Sequence, residues 1–229
     1  MEQQQSTATH CYPYPHPAVT TDVVIFTIRE GKLEVLLVKR GNAPHRGRWA
    51  LPGGFVNLGE DLEECALREL EEETGIAGVY LEQLYTFGQP QRDPRERVIS
   101  VAYYALVPSD PIRLCAATDA EAVAWFGYDE LPELAFDHRE IVVMAHHRLV
   151  AKLDYSTIAF QFMPEKFTLG ELQAVYEIIR GAPLDKRNFR KRMLALGCVA
   201  DTGEVRREGS RRPAKLYRAK FPGRVEIIK

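Results

Sequence analysis

The sequence predicts a mixed α/β domain, a sheet with helices on its faces, followed by a smaller basic domain built on a winged helix-turn-helix. Three observations carry this prediction. Strand-like and helix-like segments succeed one another between residues 20 and 153 without strict β-α alternation, which points to a mixed sheet. Charge divides the chain: residues 164–229 hold 16 Lys and Arg against 8 Asp and Glu, whereas residues 1–163 hold 14 against 24. Two short helical segments across a tight turn then precede a hairpin-like stretch, both rich in Lys and Arg. At 229 residues, 45% hydrophobic and 27% charged, the chain has room for one large domain or two small ones, each with a real core.

The opening MEQQQSTATHCYPYPHPAV is rich in Pro and Gln, and a poorly ordered segment over residues 1–18 is expected. It lacks the basic and apolar regions of a signal peptide. TTDVVIFTI (20–28) and KLEVLLVKR (32–40) read as strands joined at REGK, a tight turn around Gly31. WALPGGFV carries Pro52-Gly53-Gly54, a break that lets backbone approach a ligand closely. An acidic helix follows, then strands at GVYLEQLYTFG, RVISVAYYALV and AEAVAWFGY, and a helix at DHREIVVMAHHRLVAKL.

The basic segment begins after FMPEKF. Thr168 to Glu171 is a capping-box pattern opening a helix to Arg180, with Gly181 just past its end. Leu169, Leu172, Val175, Tyr176 and Ile179 supply its apolar stripe. After GAPL a second helix spans about 186–196, stopped by Gly197, and residues 199–219 read as a hairpin with Gly209-Ser210 near its tip. The expected units are 1–18, 19–163 and 164–229. Four scattered cysteines (Cys11, Cys65, Cys115, Cys198) form no C-x-x-C pair, which argues against a zinc or disulfide framework and for a reducing compartment. No stretch approaches 18 apolar residues, so a cytoplasmic protein with no membrane partner is expected.

Eight carboxylates lie between Gly59 and Glu73, with Arg68 the one cation among them. On a helical wheel advancing about 100° per residue, Glu69, Glu72 and Glu73 fall on the same side as Leu62, Cys65 and Ala66. Glu63, Glu64 and Glu71 point elsewhere, as ordinary solvated charge. Carboxylates converging near a packed face are costly unless a cation neutralises them, and all-oxygen ligands favour Mg²⁺ or Mn²⁺. Such a site suits water attack on a phosphoanhydride.

Gly54, five residues, Glu60, seven residues, then Arg68-Glu69-Leu70-x-Glu72-Glu73-x-Gly75-Ile76 resembles the Nudix box of Nudix hydrolases at every specified position. The resemblance implies an α/β/α sandwich that hydrolyses nucleoside diphosphates linked to another group. It implies that Glu69, Glu72 and Glu73 hold metal, that Arg68 orients a neighbouring glutamate, and that Glu60 supports them. In FGQPQRDPRERVISVAYYAL, Arg92, Arg95 and Arg97 lie where they can meet a pyrophosphate bidentately. That stretch and the basic domain together resemble the Nudix-related transcriptional regulators of NAD metabolism, which sense ADP-ribose, over nearly all of residues 17–220. The box is often degraded in that family and is intact here, so hydrolysis of ADP-ribose to AMP and ribose 5-phosphate is expected alongside sensing. Asp119 and Glu121, ahead of AVAWF, are the candidates for a catalytic base outside the box.

On the second basic helix, Phe189, Met193 and Leu196 cluster to pack inward, with Leu194 breaking the pattern. Five cations and no acid lie between residues 186 and 192, and the hairpin adds Arg206, Arg207, Arg211, Arg212 and Lys215. A basic second helix with a basic wing is the electrostatic footprint of a winged helix on double-stranded DNA. Lys186, Arg187, Asn188, Arg190 and Lys191 on the helix, with Arg211, Arg212 and Lys215 on the wing, are the expected contacts. A helix-turn-helix commonly reads a two-fold site, so a homodimer is expected. A ligand-responsive regulator and a stand-alone Mg²⁺-dependent pyrophosphatase with a basic appendage are the two readings.

Overall fold

β1 (Ala18–Arg29) and β2 (Lys32–Arg40) form an antiparallel hairpin. Glu30 and Gly31, with φ of 49° and 76°, fill its two-residue turn, and positive φ at both positions matches the turn's twist to that of the strands. β3 (Trp49–Ala50) pairs with β2, and β4 (Gly53–Phe55) pairs with β1. After α1 (Leu62–Thr74) come β5 (Tyr80–Phe87), β6 (Val98–Leu106) and β7 (Ala120–Gly127). These seven strands make one sheet in the order β3-β2-β1-β6-β5, with β7 against β2. β1 and β6 run parallel and the other pairs antiparallel, so the sheet is mixed as expected.

The computed structural model describes residues 13–108, 120–207 and 213–228. Most of the expected poorly ordered segment, Asp119, Arg211, Arg212 and the hairpin tip at Gly209-Ser210 lie outside those residues. The side chain of Glu121 does too, although its backbone belongs to β7.

β1 is a nearly continuous apolar run because both of its faces are covered. Val23 and Ile25 cluster with Ala66 and Leu70 of α1 on one side. Val24 and Phe26 cluster with Ile141, Ala145 and Leu149 of α2 (His138–Tyr155) on the other. A helix therefore lies on each face of the sheet. Asp61 and Glu64 close a capping box on α1, and Gly75, at φ 75°, ends it with its N–H on the Glu71 carbonyl. α1 buries Cys65, Ala66, Leu70 and Thr74. Its buried stripe is thus rotated toward Leu70 relative to the stripe drawn through Leu62, Cys65 and Ala66, and the rotation carries Glu72 into solvent.

α3 (Leu169–Arg180) opens on the Thr168–Glu171 capping box and ends at Gly181 in the left-handed region. α4 (Lys186–Ala195) follows, then the antiparallel hairpin of β8 (Val199–Arg206) and β9 (Ala214–Ala219). Together they form a winged helix-turn-helix. Leu172, Tyr176 and Ile179 of α3 and Phe189 and Met193 of α4 belong to the same apolar cluster as Leu149 and Leu153 of α2. The winged helix is therefore packed on α2 through a continuous core. The C-terminal segment returns to the same place: the Ile228 N–H donates to the Tyr155 carbonyl at 2.7 Å, and the Thr157 N–H to that of Glu226 at 2.9 Å. Among the described residues no helix is long and apolar enough to cross a membrane.

Candidate ligand cleft and DNA-facing helix

α1 lies with its acidic side over β4, and the two glycines of β4 set the distance. A Cβ on Gly53 would stand 2.1 Å from the Thr21 carbonyl oxygen, and one on Gly54 would stand 2.2 Å from Glu69 Oε1. Only glycine allows that approach. The Gly53 N–H donates to Glu73 Oε2 at 3.0 Å. Arg68 sits among the other acids: its Nε and Nη2 donate to Glu60 at 2.6 and 3.0 Å, and its Nη1 to Glu69 at 2.7 Å and Glu72 at 3.1 Å. Hydrogen bonding to Arg68 pulls the Glu60 carboxyl down to about 2. Burial pushes Glu69 up and Glu73 up to about 7.

These carboxylates differ from the expected arrangement in one respect. Glu69 and Glu73 are half-buried beside β4, whereas the Glu72 side chain is 59% exposed and turned to Arg68. Among the described residues no three His, Cys, Asp or Glu side chains converge on a metal-sized point. The physical reason is Arg68, whose guanidinium occupies the centre of Glu60, Glu69 and Glu72. The donor chemistry nevertheless fits a hard divalent cation. Glu69 and Glu73 offer carboxylate oxygens whose charge burial disfavours, and a divalent ion offsets that penalty.

Beside Glu73 opens a cleft of about 230 Å³, lined among others by Arg40, Gly53, Arg92, Arg95, Phe136 and His138. A second groove of about 340 Å³, around Lys32, Tyr128, His146 and Arg180, lies away from the acidic helix. The first is the candidate ligand cleft because Glu73 and the two glycines of β4 line it. Its floor is a buried polar network. Arg92 donates to both oxygens of Asp137, at 2.9 and 2.7 Å, and to Asp22 at 3.3 Å. Ser100 also donates to Asp22. His138 Nδ1 accepts the Leu51 N–H at 2.8 Å, so the ring is neutral there, and burial lowers its pKa.

The three arginines expected at a pyrophosphate have different surroundings. Arg92 is buried at the cleft floor, with its Nε and Nη2 engaged by Asp137 and Asp22. Arg95 pairs with Asp93 and lies over the rings of Phe55 and Phe136, at 5.4 and 6.0 Å. Arg97 is exposed, reaches the Val98 carbonyl at 3.4 Å, and is not among the residues lining the cleft. Sequence reasoning missed Arg40, Phe136, Asp137 and His138. Asp22 inside an apolar strand was the one signal available, because a lone acid in a buried run needs a partner.

On α4, Asp185 caps the helix by accepting the Asn188 N–H at 2.8 Å. Lys186, Arg187, Asn188, Arg190 and Lys191 are exposed, while Phe189 and Met193 are buried behind them. Cations in the first turn oppose the helix dipole, and a facing polyanion turns that into an attraction. Leu194, the exception on the wheel, is exposed on this helix. On the wing, Lys215 is held by Asp201 at 2.8 Å and Arg206 by Glu171 at 2.5 Å. Arg192 donates to the Asp154 carbonyl at 2.8 Å, and Arg180 pairs with the Asp154 carboxylate. α2, about 27 Å long at 1.5 Å per residue, thus begins beside the cleft at Asp137-His138 and ends on both helices of the winged domain.

A mixed sheet between two helices, an acidic helix over paired glycines, and a winged helix on the same core define a Nudix domain joined to a DNA-binding domain. Residues 18–145 match the NUDIX domain, and residues 159–219 match the NrtR DNA-binding winged helix domain. The chain belongs to the NrtR family of Nudix proteins. It is 42% identical over 209 residues to an Acinetobacter baylyi protein described as ADPR responsive transcriptional repressor NtrR, covering 90% of this chain and 83% of that one. It is similar to Shewanella oneidensis NrtR complexed with a 27mer DNA, at 39% identity and a TM-score of 0.78, covering 88% of this chain and 93% of that one. The Nudix part is also 42% identical over 129 residues to an ADP-ribose pyrophosphatase of Methanocaldococcus jannaschii, covering 56% of this chain and 73% of that one.

Proposed function

We propose that the protein is an ADP-ribose-responsive, DNA-binding repressor of genes for NAD biosynthesis or salvage, and that it also hydrolyses its effector to AMP and ribose 5-phosphate. Family membership and the two similar regulators, matched over both domains, support the first part. The intact acidic helix and the similarity to a pyrophosphatase support the second. The observation that carries the proposal is α2, with the cleft at one end and Arg180 and Arg192 of the winged helix at the other.

In this reading residues 19–163 hold the ligand and residues 164–229 bind double-stranded DNA, as a homodimer in the cytoplasm. Glu69, Glu72 and Glu73 would hold Mg²⁺ or Mn²⁺, with Glu60 and Arg68 beside them. The ion supplies neutralisation of the charge that builds on the diphosphate oxygens. Glu121 stands near the cleft-bearing end of β2, since the strand register places its neighbours Ala120 and Ala122 opposite Arg40 and Lys39. Lys186, Arg187, Asn188, Arg190 and Lys191 face the DNA, with Arg211, Arg212 and Lys215 on the wing.

A ligand shifts an equilibrium only by its preference for one of two arrangements. ADP-ribose therefore weakens DNA binding by favouring a cleft geometry in which α2 repositions α3 and α4. Coupling of about 1–3 kcal/mol changes affinity by roughly 5- to 150-fold, and DNA weakens ADP-ribose binding by the same factor. The test titrates the protein's upstream DNA with and without ADP-ribose. It uses the Glu73→Gln variant, expected to be inactive in Mg²⁺-dependent hydrolysis, so that the ligand survives. Equal DNA affinity at saturating ligand rejects the sensor and leaves the stand-alone pyrophosphatase.

A further inference from the structure

We infer that Arg40 and Arg95, brought together on the ring of Phe136, clamp two adjacent phosphates, and that this clamp separates a diphosphate-linked ligand from the monophosphates its hydrolysis releases. The inference rests on the ligand cleft proposed above and adds which residues take the diphosphate.

The guanidinium carbons of Arg40 and Arg95 lie 4.8 and 6.0 Å from the centre of the Phe136 ring. Two like charges over one ring repel each other, and the ring's face offsets only part of that. Arg95 has Asp93 as a partner. Arg40 has no carboxylate within ion-pair distance among the described residues, and its Nε donates to the Pro44 carbonyl at 2.9 Å. Burial, then the charge of Arg95, lowers the Arg40 pKa. An anion set between the two guanidiniums relieves both effects.

Phe136 is held in an unusual backbone conformation. Its φ of 52° lies in the left-handed region, which is strained for a bulky side chain. The edge contact with His45, at 4.8 Å between ring centres, and Arg40 on the ring keep it there. Arg92 has its Nε and Nη2 taken by Asp137 and Asp22, which leaves it fewer donors for a ligand than Arg40. At about 230 Å³ the cleft is smaller than the roughly 300–1,000 Å³ of sites that enclose a whole small molecule, so it houses part of an extended ligand.

A diphosphate places acceptor oxygens on two phosphorus atoms, one for each planar fork. Hydrolysis adds water across the P–O–P link, and each product keeps one phosphate. AMP or ribose 5-phosphate then meets one guanidinium at a time, so the clamp releases the products and retains the effector.

The test is calorimetric titration of the full-length protein in EDTA, where hydrolysis and metal bridging are absent, with ADP-ribose, AMP, ribose 5-phosphate and inorganic pyrophosphate. Wild type is expected to bind ADP-ribose about tenfold or more tightly than either monophosphate. Arg40→Gln is expected to lose about tenfold or more for ADP-ribose and pyrophosphate and much less for AMP. Arg95→Lys, which keeps a cation beside the buried Asp93 but loses the planar fork, serves if Arg40→Gln does not fold, and should show the same pattern. If folded variants bind ADP-ribose as wild type does, or lose AMP equally, the clamp is overturned while the ADP-ribose reading stands. If wild type ignores ADP-ribose but binds pyrophosphate in an Arg40-dependent way, the clamp survives and that reading fails. Binding of neither overturns both.

Discussion

Replacing Asp137 with alanine tests whether Arg92 belongs to the framework of the cleft or to its ligand contacts. The Arg92 side chain is 4% exposed, and its partners Asp137 and Asp22 are 14% and 9% exposed. The pair is therefore in the buried regime, where removing one partner strands the other charge, and not in the surface regime of 0–1 kcal/mol. Asp137→Ala removes two charge-assisted bonds of 2.9 and 2.7 Å and leaves the guanidinium with Asp22 at 3.3 Å. Asp137 makes no side-chain capping bond to α2, so loss of a cap adds nothing. The expected destabilisation is about 3–5 kcal/mol. At roughly 2–4 °C per kcal/mol for a chain of this size, the melting temperature falls by about 6–20 °C. Urea unfolding of the two proteins measures the loss, with Lys32→Gln, whose partner Glu130 is itself exposed, as a surface control expected to cost under about 1 kcal/mol. A loss below about 1 kcal/mol for Asp137→Ala would refute the framework role. So would an Arg92→Gln variant of wild-type stability that fails to bind ADP-ribose.

Three further outcomes are expected. Gly54→Ala meets only the far end of the Glu69 side chain, so it should fold and lose hydrolysis by displacing that carboxylate; Gly53→Ala meets the Thr21 carbonyl at a φ of 155° and should be clearly less stable in thermal melts. His138 has a folded pKa below its unfolded value, so the unfolded chain binds the extra proton. Stability is then complete above about pH 6.5 and falls by at most about 1.4 kcal/mol per pH unit below it; a urea midpoint that fell no further between pH 7.5 and 5.5 than in His138→Gln would exclude this contribution. On DNA, Lys191→Ala should reduce the log–log salt slope by about 0.9, whereas Lys215→Ala, already neutralised by Asp201, should change it less; equal changes would count against the assignment of α4 as the principal surface.

The legible parts of the molecule were those written in local pattern. β2 spans Lys32–Arg40 as read from KLEVLLVKR, and α3 spans Leu169–Arg180 between a capping box and Gly181. Both follow from neighbours within a few residues, where side-chain period and turn chemistry act directly. The acidic helix was recognised for the same reason, but its rotation was not, because Leu70 and Thr74 are buried by a sheet face that one helix's sequence does not contain. That rotation, of a few tens of degrees, separates Glu72 in solvent from Glu69 and Glu73 beside β4.

The arginines show the limit more sharply. RDPRER announces cations near a ligand, but which of them is spent on the fold depends on acids far along the chain. Arg92 meets Asp22 and Asp137, 70 and 45 residues away. Arg40 and Phe136, 96 positions apart and with no motif of their own, meet only because the end of β2 and the start of α2 border the same cleft. The sequence by itself determined the class of protein: a mixed sheet, a carboxylate helix spaced as a Nudix box, and a basic winged helix, all encoded in short-range spacing. Only the tertiary structure decided which charges are neutralised inside and which remain for a ligand. Pairing of buried charges is a matter of distances in space, and the chain sets those distances only when its distant segments pack together.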